Sequence, residues 1–359
     1  MMPLMGSLGG NLSYLPLTPA MLTGCLAFTP SKYPWVTASN FFSNGIVVNA
    51  YVGNRSNRGS LILPQWPLSF VTLDVFSFTA RNPPFSDMKI AVILNNSLSG
   101  FLTANSFGNI NRTFYTFNNI NPGSKVELLM PWDTVDGAQG TGVDTQKEGT
   151  AFFGLWAPST YVPKAQRFAT GTIGWGDSIF SAVLPNAANS IESMGPGGQY
   201  RLLGNLLGWG TANLDYGGAT EAGDGITPAQ RAQVTIDMAD QMGLTTAKVI
   251  WRLGRNDYAN GTATPTTVAN GIQSSINLLP GPRFKHLVVT PIPQASEVAV
   301  AGFTLPQFRT PQLAITGAVV IDGPTTNIVP GTDLADGVHE NTLGVTKDVN
   351  TTWPAILAL

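Results

Sequence analysis

Residues 167–178 read RFATGTIGWGDS, and the reading of this stretch decides the fold. Gly, Asp and Ser are the commonest turn formers, so GDS by itself is compatible with a surface turn. The stretch also fits a strand of alternating small, hydroxyl and apolar residues that ends at a tight turn. Ser178 then opens the segment IFSAVL, which can run as a helix. A serine in that position projects into the crevice above a sheet, with its backbone N–H at a helix N-terminus, where negative charge is favoured.

Downstream, the pattern supports the strand reading. Thr227 and Pro228 announce a helix, an N-cap followed by proline at the first helical position. Val234, Met238 and Met242 then recur every four residues, as a core-facing stripe does. The strand KVIWRLG, a weaker helix TVANGIQSSINLL, the strands FKHLVVTPIP and GAVVID, and a segment ending VTKDVNTTWPAILAL complete the alternation. Strands alternating with helices predict βαβ units and a mostly parallel sheet. In such sheets chemistry sits at the carboxyl ends of the strands.

Upstream the grammar differs. Between about 41 and 165, short apolar runs such as GIVVNAYVG, SFVTLDVFSFTAR, MKIAVILNN and TAFFGLWAP are separated by NRSNRG, NPPFSD, NPGS and DGAQGTG. That spacing predicts an antiparallel β-sandwich or jelly roll. The expected organisation is an extended arm over 1–40, a sandwich over 41–168 and an α/β domain over 169–359. The arm is a candidate for packing on a neighbouring subunit, in a homo-oligomer or a virus particle, or on the chain's own surface.

A serine hydroxyl is a weak nucleophile until a base takes its proton, and the usual base is a histidine held by a carboxylate. The chain has 2 histidines. His339 stands in DLADGVHENTLG three residues after Asp336, a spacing that lets the carboxylate reach Nδ1 while Nε2 faces the serine. His286, in KHLVVTP, has no neighbouring carboxylate and reads as structural. An oxyanion forming at the carbonyl needs aimed donors. NLDYGGAT offers a backbone N–H at Gly217 or Gly218, and LGRNDY offers the side-chain amide of Asn256.

These blocks, GDS at 176–178, GGAT at 217–220, GRND at 254–257 and DGVH at 336–339, stand in the order of the SGNH hydrolases, and residues 170–359 resemble that GDSL-type lipase and esterase family. The resemblance implies a three-layer α/β/α, flavodoxin-like fold and ester hydrolysis without a metal or organic cofactor. It makes Ser178 the nucleophile and one oxyanion donor through its own N–H. Gly218 and Asn256 become the other donors, His339 the acid–base and Asp336 its orienting partner. Asp177, Gly254 and Asp257 complete the motifs and are expected to shape turns. Three features depart from the family pattern: a less apolar first strand, Trp175 beside the nucleophile, and little helix signal over Phe303–Ile315. Trp175 would either wall the acyl pocket or pack beneath the turn.

More loosely, the N-terminal half resembles the β-sandwich modules that precede the catalytic domain in some carbohydrate esterases. Trp35, Trp66, Trp132 and Trp156 are candidates for stacking on sugar rings or for core burial. The substrate implied is a small acyl ester, an O-acetyl group on a carbohydrate, which makes the chain an O-deacetylase. The alternative class is a tail, fibre or surface protein of a virus particle that carries such a domain.

Composition bounds these readings. Only 11% of the 359 residues are charged, against roughly 25% in ordinary soluble domains, while 39 Gly and 26 Pro suit a turn-rich protein. Such mixtures occur in secreted proteins and virion components. A net charge of −2 gives no basic stripe for nucleic acid. The single cysteine, Cys25, allows no internal disulfide, and two histidines cannot build a zinc site. No signal peptide and no membrane-spanning helix are expected, since the first lysine is Lys32 and Pro3, Pro16 and Pro19 interrupt the apolar N-terminal stretch.

Overall fold

The computed structural model describes residues 14–17, 46–52, 60–79, 88–95, 97–104, 111–132, 147–158, 161, 168–181, 195–215, 220–222, 226–279 and 281–359. In the N-terminal half it contains strands β1 (Tyr14–Leu17), β2 (Ile46–Val52), β3 (Ser60–Trp66), β4 (Phe70–Thr79), β5 (Met88–Leu94), β6 (Ser97–Ala104), β7 (Asn111–Asn118), β8 (Ser124–Trp132) and β9 (Lys147–Pro158). They pair antiparallel in two sheets. One runs β1-β9-β4-β7, with β2 also on β9, and the other runs β3-β8-β5-β6. Of the expected arm, Tyr14–Leu17 pairs with β9 of the same chain. The remainder of residues 1–40, with Trp35, lies outside the described residues. Trp66 is fully buried and donates from Nε1 to the Phe70 carbonyl oxygen at 2.8 Å, which makes it a core residue rather than an exposed stacking platform.

The C-terminal half is built on a five-stranded parallel sheet, in the order β11-β10-β12-β13-β14. Its strands are β10 (Thr170–Gly176), β11 (Gly210–Asp215), β12 (Thr246–Arg252), β13 (Phe284–Val289) and β14 (Val319–Ile321). The helices are α1 (Ser178–Ser181), α2 (Gly195–Leu206), α3 (Pro228–Met242), α4 (Arg255–Asn260), α5 (Pro265–Asn277), α6 (Leu305–Gln312), α7 (Pro330–Asp333) and α8 (Thr342–Ala358). A parallel sheet covered on both faces needs apolar residues at both parities of its strands, and β12 shows this. Val249 and Trp251 pack with Val234, Met238 and Met242 of α3 and Val268 and Ile272 of α5 on one face. Ile250 packs on the other face with Tyr200 of α2 and Val345, Val349 and Ile356 of α8. This is the three-layer α/β/α arrangement.

The departures noted in the sequence have physical reasons. The polar character of β10 is absorbed by pairing, since Thr172 Oγ1 donates to Thr211 Oγ1 on β11 at 3.0 Å. Trp175 shares the face of Ile173, as residues two apart in a strand do. It stacks on Trp251 with ring centroids 6.2 Å apart and donates from Nε1 to Thr235 Oγ1 at 2.9 Å. It is therefore core beneath the sheet and no part of a pocket wall. Over 303–315, where helix signal is weak, Leu305–Gln312 is helical. A capping box, Thr304 with Gln307, starts that helix and proline stands in its first turn, features that outweigh the mid-helix Pro311. The same box, Thr227 with Gln230, starts α3 where the sequence places a helix start. Helix α2 gives little warning in sequence, because its first turn is GPGG.

Candidate active site

The site forms where β10, β11 and β12 end side by side. The parallel register sets Gly176 beside Asp215 on one side and Arg252 on the other. The segments that follow β10 and β12, carrying Ser178 and Asn256, therefore leave the sheet at one edge. The GDS turn is held by Asp177, whose Oδ1 accepts the Ile179 N–H at 2.9 Å. Burial raises the pKa of that carboxyl. Gly176 is required by close approach, since a Cβ there would meet Phe180 Cβ at 2.3 Å, where α1 folds back over the strand.

Ser178 Oγ lies 2.9 Å from His339 Nε2, and His339 Nδ1 lies 2.6 Å from Asp336 Oδ2. The other carboxylate oxygen of Asp336 accepts the backbone N–H groups of Val338 at 2.9 Å and His339 at 2.7 Å. Burial alone would raise the Asp336 carboxyl. The imidazole and the two backbone donors outweigh it and hold the group well below the ordinary carboxylate range. With Asp336 ionised and bonded to Nδ1–H, Nε2 is left as the acceptor that faces the serine.

Asn256 is buried in the first turn of α4, and Arg255 Nη1 donates to its Oδ1 at 3.4 Å. Gly218 lies outside the described residues. Asp257 does more than shape a turn. Its carboxylate accepts the backbone N–H groups of Glu221 at 2.7 Å and Ala222 at 3.1 Å, tying α4 to the segment that follows GGA. His286 is buried on β13, where Trp251 Nε1 donates to its Nδ1 at 3.3 Å, and burial lowers its pKa to about 4. It is a neutral core residue, apart from the serine.

Several supports of the site carry no sequence signal of their own. The turn that bears His339 is braced by Ala295 N–H on the Gly337 carbonyl at 2.9 Å and by Gln294 Nε2 on the Val338 carbonyl at 3.2 Å. Glu340, the next residue, is buried against Arg252 at 2.9 Å, and the other arm of Arg252 lies against Asp348 of α8. Charged residues inside the apolar run KVIWRL are the hint that such a chain offers. Of the two, Arg252 makes the buried ion pairs, whereas Lys248 donates to the Ile356 and Leu357 carbonyl oxygens. Among the described residues no group of three or more His, Cys, Asp or Glu side chains is arranged to hold a metal ion.

The segment after β11 carries a titratable clamp. Glu221 is buried, and its Oε1 accepts from Arg231 Nη1 at 2.7 Å. Arg231 also donates to the Thr220 and Glu221 carbonyl oxygens. Asp257 faces the same space from α4, and Gly271 of α5 leaves room for the Glu221 carboxyl. Burial, with the Asp257 charge adding and Arg231 opposing, pushes the Glu221 carboxyl up to about 8. An unfolded glutamate titrates near about 4.3, so between that pH and 8 the folded state holds the extra proton. Stability is then lost as pH rises through this window, by at most about 1.4 kcal/mol per pH unit for one group. The melting temperature is expected to fall from pH 5 to 8 less steeply in Glu221→Gln, which cannot titrate but still accepts from Arg231. Equal slopes in the two proteins would remove Glu221 as the cause.

No protein-family model matches this sequence, and no curated protein does. Solved structures do match. The salicylyl-acyltransferase SsfX3 of a tetracycline biosynthetic pathway superposes with a TM-score of 0.58 at 12% identity, over 84% of this chain and 82% of that one. A GDSL-like lipase from Bacteroides ovatus gives 0.54 at 13% identity, over 97% and 98%. A family two carbohydrate esterase from Clostridium thermocellum, an active-site mutant in complex with an oligosaccharide, gives 0.53 at 12% identity, over 88% and 98%. The chain has the fold of these GDSL-like and carbohydrate-esterase structures. That is the fold to which the four sequence blocks point.

Proposed function

We propose that this protein is a serine esterase that removes small acyl groups, O-acetyl above all, from a carbohydrate through a Ser178–His339–Asp336 triad and an acyl-enzyme. In the same reading residues 169–359 are the hydrolase domain. Residues 41–168 form a jelly-roll-like sandwich that serves sugar binding or assembly, and residues 1–40 form an arm. The single observation that carries the proposal is the unbroken hydrogen-bonded relay from Ser178 Oγ through both ring nitrogens of His339 to Asp336. A carbohydrate substrate is supported by the esterases that share the fold, one solved with a bound oligosaccharide and one an acetyl xylan esterase with a TM-score of 0.50.

The chemistry follows from the relay. Ser178 Oγ attacks the ester carbonyl carbon as His339 Nε2 takes its proton, and Asp336 stabilises the imidazolium through Nδ1–H. The Ser178 N–H, the Gly218 N–H and the Asn256 amide receive the oxyanion. Collapse expels the alcohol, which takes the proton from His339 and leaves acyl-Ser178. Water then gives a proton to His339 as its oxygen attacks the acyl carbon; collapse breaks the bond to Ser178 Oγ, which takes that proton back from His339, and the acid leaves. An alcohol replacing water at this step would give transfer, and the shared fold of an acyltransferase favours testing that outcome.

The test combines labelling with product analysis. A fluorophosphonate is expected to add a single mass increment, on the peptide containing Ser178. Acetylated polysaccharides should release free acetate, or an acetylated acceptor when an alcohol is supplied. Failure to label Ser178 in the folded protein would overturn the proposal.

A further inference from the structure

Arg255 differs from the other arginines whose side chains are described. Arg231 lies against Glu221, Arg252 against Glu340 and Asp348, Arg283 against Asp240 and Arg309 against Glu297. Among the described residues no carboxylate lies within ion-pair distance of Arg255. Its hydrogen bond to Asn256 Oδ1 is long, at 3.4 Å, and among the described residues its buried Nε–H has no acceptor. A guanidinium stays charged in such surroundings, and a buried donor without an acceptor costs free energy. The guanidinium therefore has a donor with an unmet need and one long bond that a ligand can improve on.

The position of Arg255 says where that ligand sits. Arg255 lines a small cleft with Asp177, Ile179, Arg252, Leu253, Pro291 and Ile292. Asp177 and Ile179 bracket Ser178 in the chain, and the amide that Arg255 touches belongs to the proposed oxyanion donor. The guanidinium thus lies against the side-chain amide of Asn256, one of the groups proposed to receive the oxyanion. The charges around it decide what kind of acceptor it takes. Asp177 and Asp336 lie within electrostatic reach of Arg255 without touching it. Arg252, the other cation of the cleft, is already paired with Glu340 and Asp348, so a substrate carboxylate would enter among like charges, whereas a neutral oxygen accepts the N–H without that repulsion.

Building on the esterase reading, we propose that Arg255 is a specificity-determining residue whose guanidinium donates to a neutral oxygen on the alcohol part of the ester. An acetyl group has no oxygen beyond its own ester group, so the acceptor comes from the alcohol side. A sugar offers hydroxyl and ring oxygens next to the ester; a simple alkyl alcohol offers none.

The test compares wild type, Arg255→Met and Arg255→Lys on three acetates. These are a mono-O-acetylated methyl glucoside, the corresponding acetylated methyl glucuronoside, and cyclohexyl acetate, which keeps the ring but lacks the hydroxyls. Arg255→Met is expected to lose on the order of tenfold more kcat/KM on the glucoside than on cyclohexyl acetate, chiefly through KM. Arg255→Lys should recover part of that difference. Equal losses on the two would overturn the inference and make Arg255 a support of Asn256 or Asp177. A wild-type preference for the glucuronoside that disappears in Arg255→Met would overturn it too, by making a carboxylate the ligand. A wild type that cleaves none of these esters, nor p-nitrophenyl acetate, refutes the esterase reading itself. An active wild type with an unchanged ratio in Arg255→Met refutes this inference alone.

Discussion

Ser178→Ala is expected to hydrolyse p-nitrophenyl acetate on the order of 10⁴-fold more slowly than wild type in kcat, with little change in melting temperature. The effect is large because, in the proposed mechanism, the hydroxyl is the atom that forms the acyl-enzyme, and no other side chain in the relay can replace it. Stability should hardly move, because alanine keeps the backbone N–H and loses one hydrogen bond to His339. Asp336→Asn sharpens the argument. The amide oxygen can still accept from the Val338 and His339 N–H groups, so the turn should survive. The amide nitrogen, facing Nδ1, would force the proton onto Nε2 and remove the base. A loss on the order of 10³- to 10⁴-fold is therefore expected from the wrong tautomer. If Ser178→Ala retained more than about a tenth of the wild-type rate, nucleophilic catalysis by this residue would be refuted.

The parts of the site legible in the sequence are those whose geometry is local. Asp336 and His339 are three residues apart, and one turn with a carboxylate accepting two of its own N–H groups joins them. GDS is legible because a strand pattern precedes it. Helix α3 is legible because Thr227, Pro228 and a four-residue apolar stripe are each short-range signals. What escapes sequence reading is pairing across long separations. Arg252 meets Glu340 and Asp348 from nearly ninety residues away or more, and Asp257 holds the backbone at 221–222, on a different loop. Nothing in RNDY tells a turn-forming aspartate from one that clamps another segment. Trp175 shows the same limit. Its place beside the nucleophile leaves either face open until the parity of β10 is fixed by packing against α3 and Trp251.

The largest stability effect is expected from Arg252→Met. The guanidinium is almost wholly buried between Glu340 and Asp348, whose side chains have no exposed surface. Burial, and then the Asp348 charge, raises the Glu340 carboxyl well above its ordinary range against the opposing pull of Arg252. Removing the cation leaves two facing carboxyl groups in an apolar setting, a defect that costs about 3–5 kcal/mol in comparable buried pairs. That corresponds to a fall in Tm on the order of 10 °C. The sign with pH follows from the same raised carboxyl. The folded state must hold on Glu340 a proton that the unfolded chain releases near about pH 4.3, so the variant should lose further stability as pH rises toward 8. Met with Glu340→Gln and Asp348→Asn removes both charges and should recover part of the loss, because the penalty lies in the unpaired charge rather than in the missing pair. Glu340 directly follows His339, so Arg252→Met should also lower kcat in the folded fraction, as the turn that aims Nε2 at Ser178 loses its anchor to β12. A variant that melts within about 2 °C of wild type at both pH 5 and pH 8 would show that the cluster is not held by its central cation.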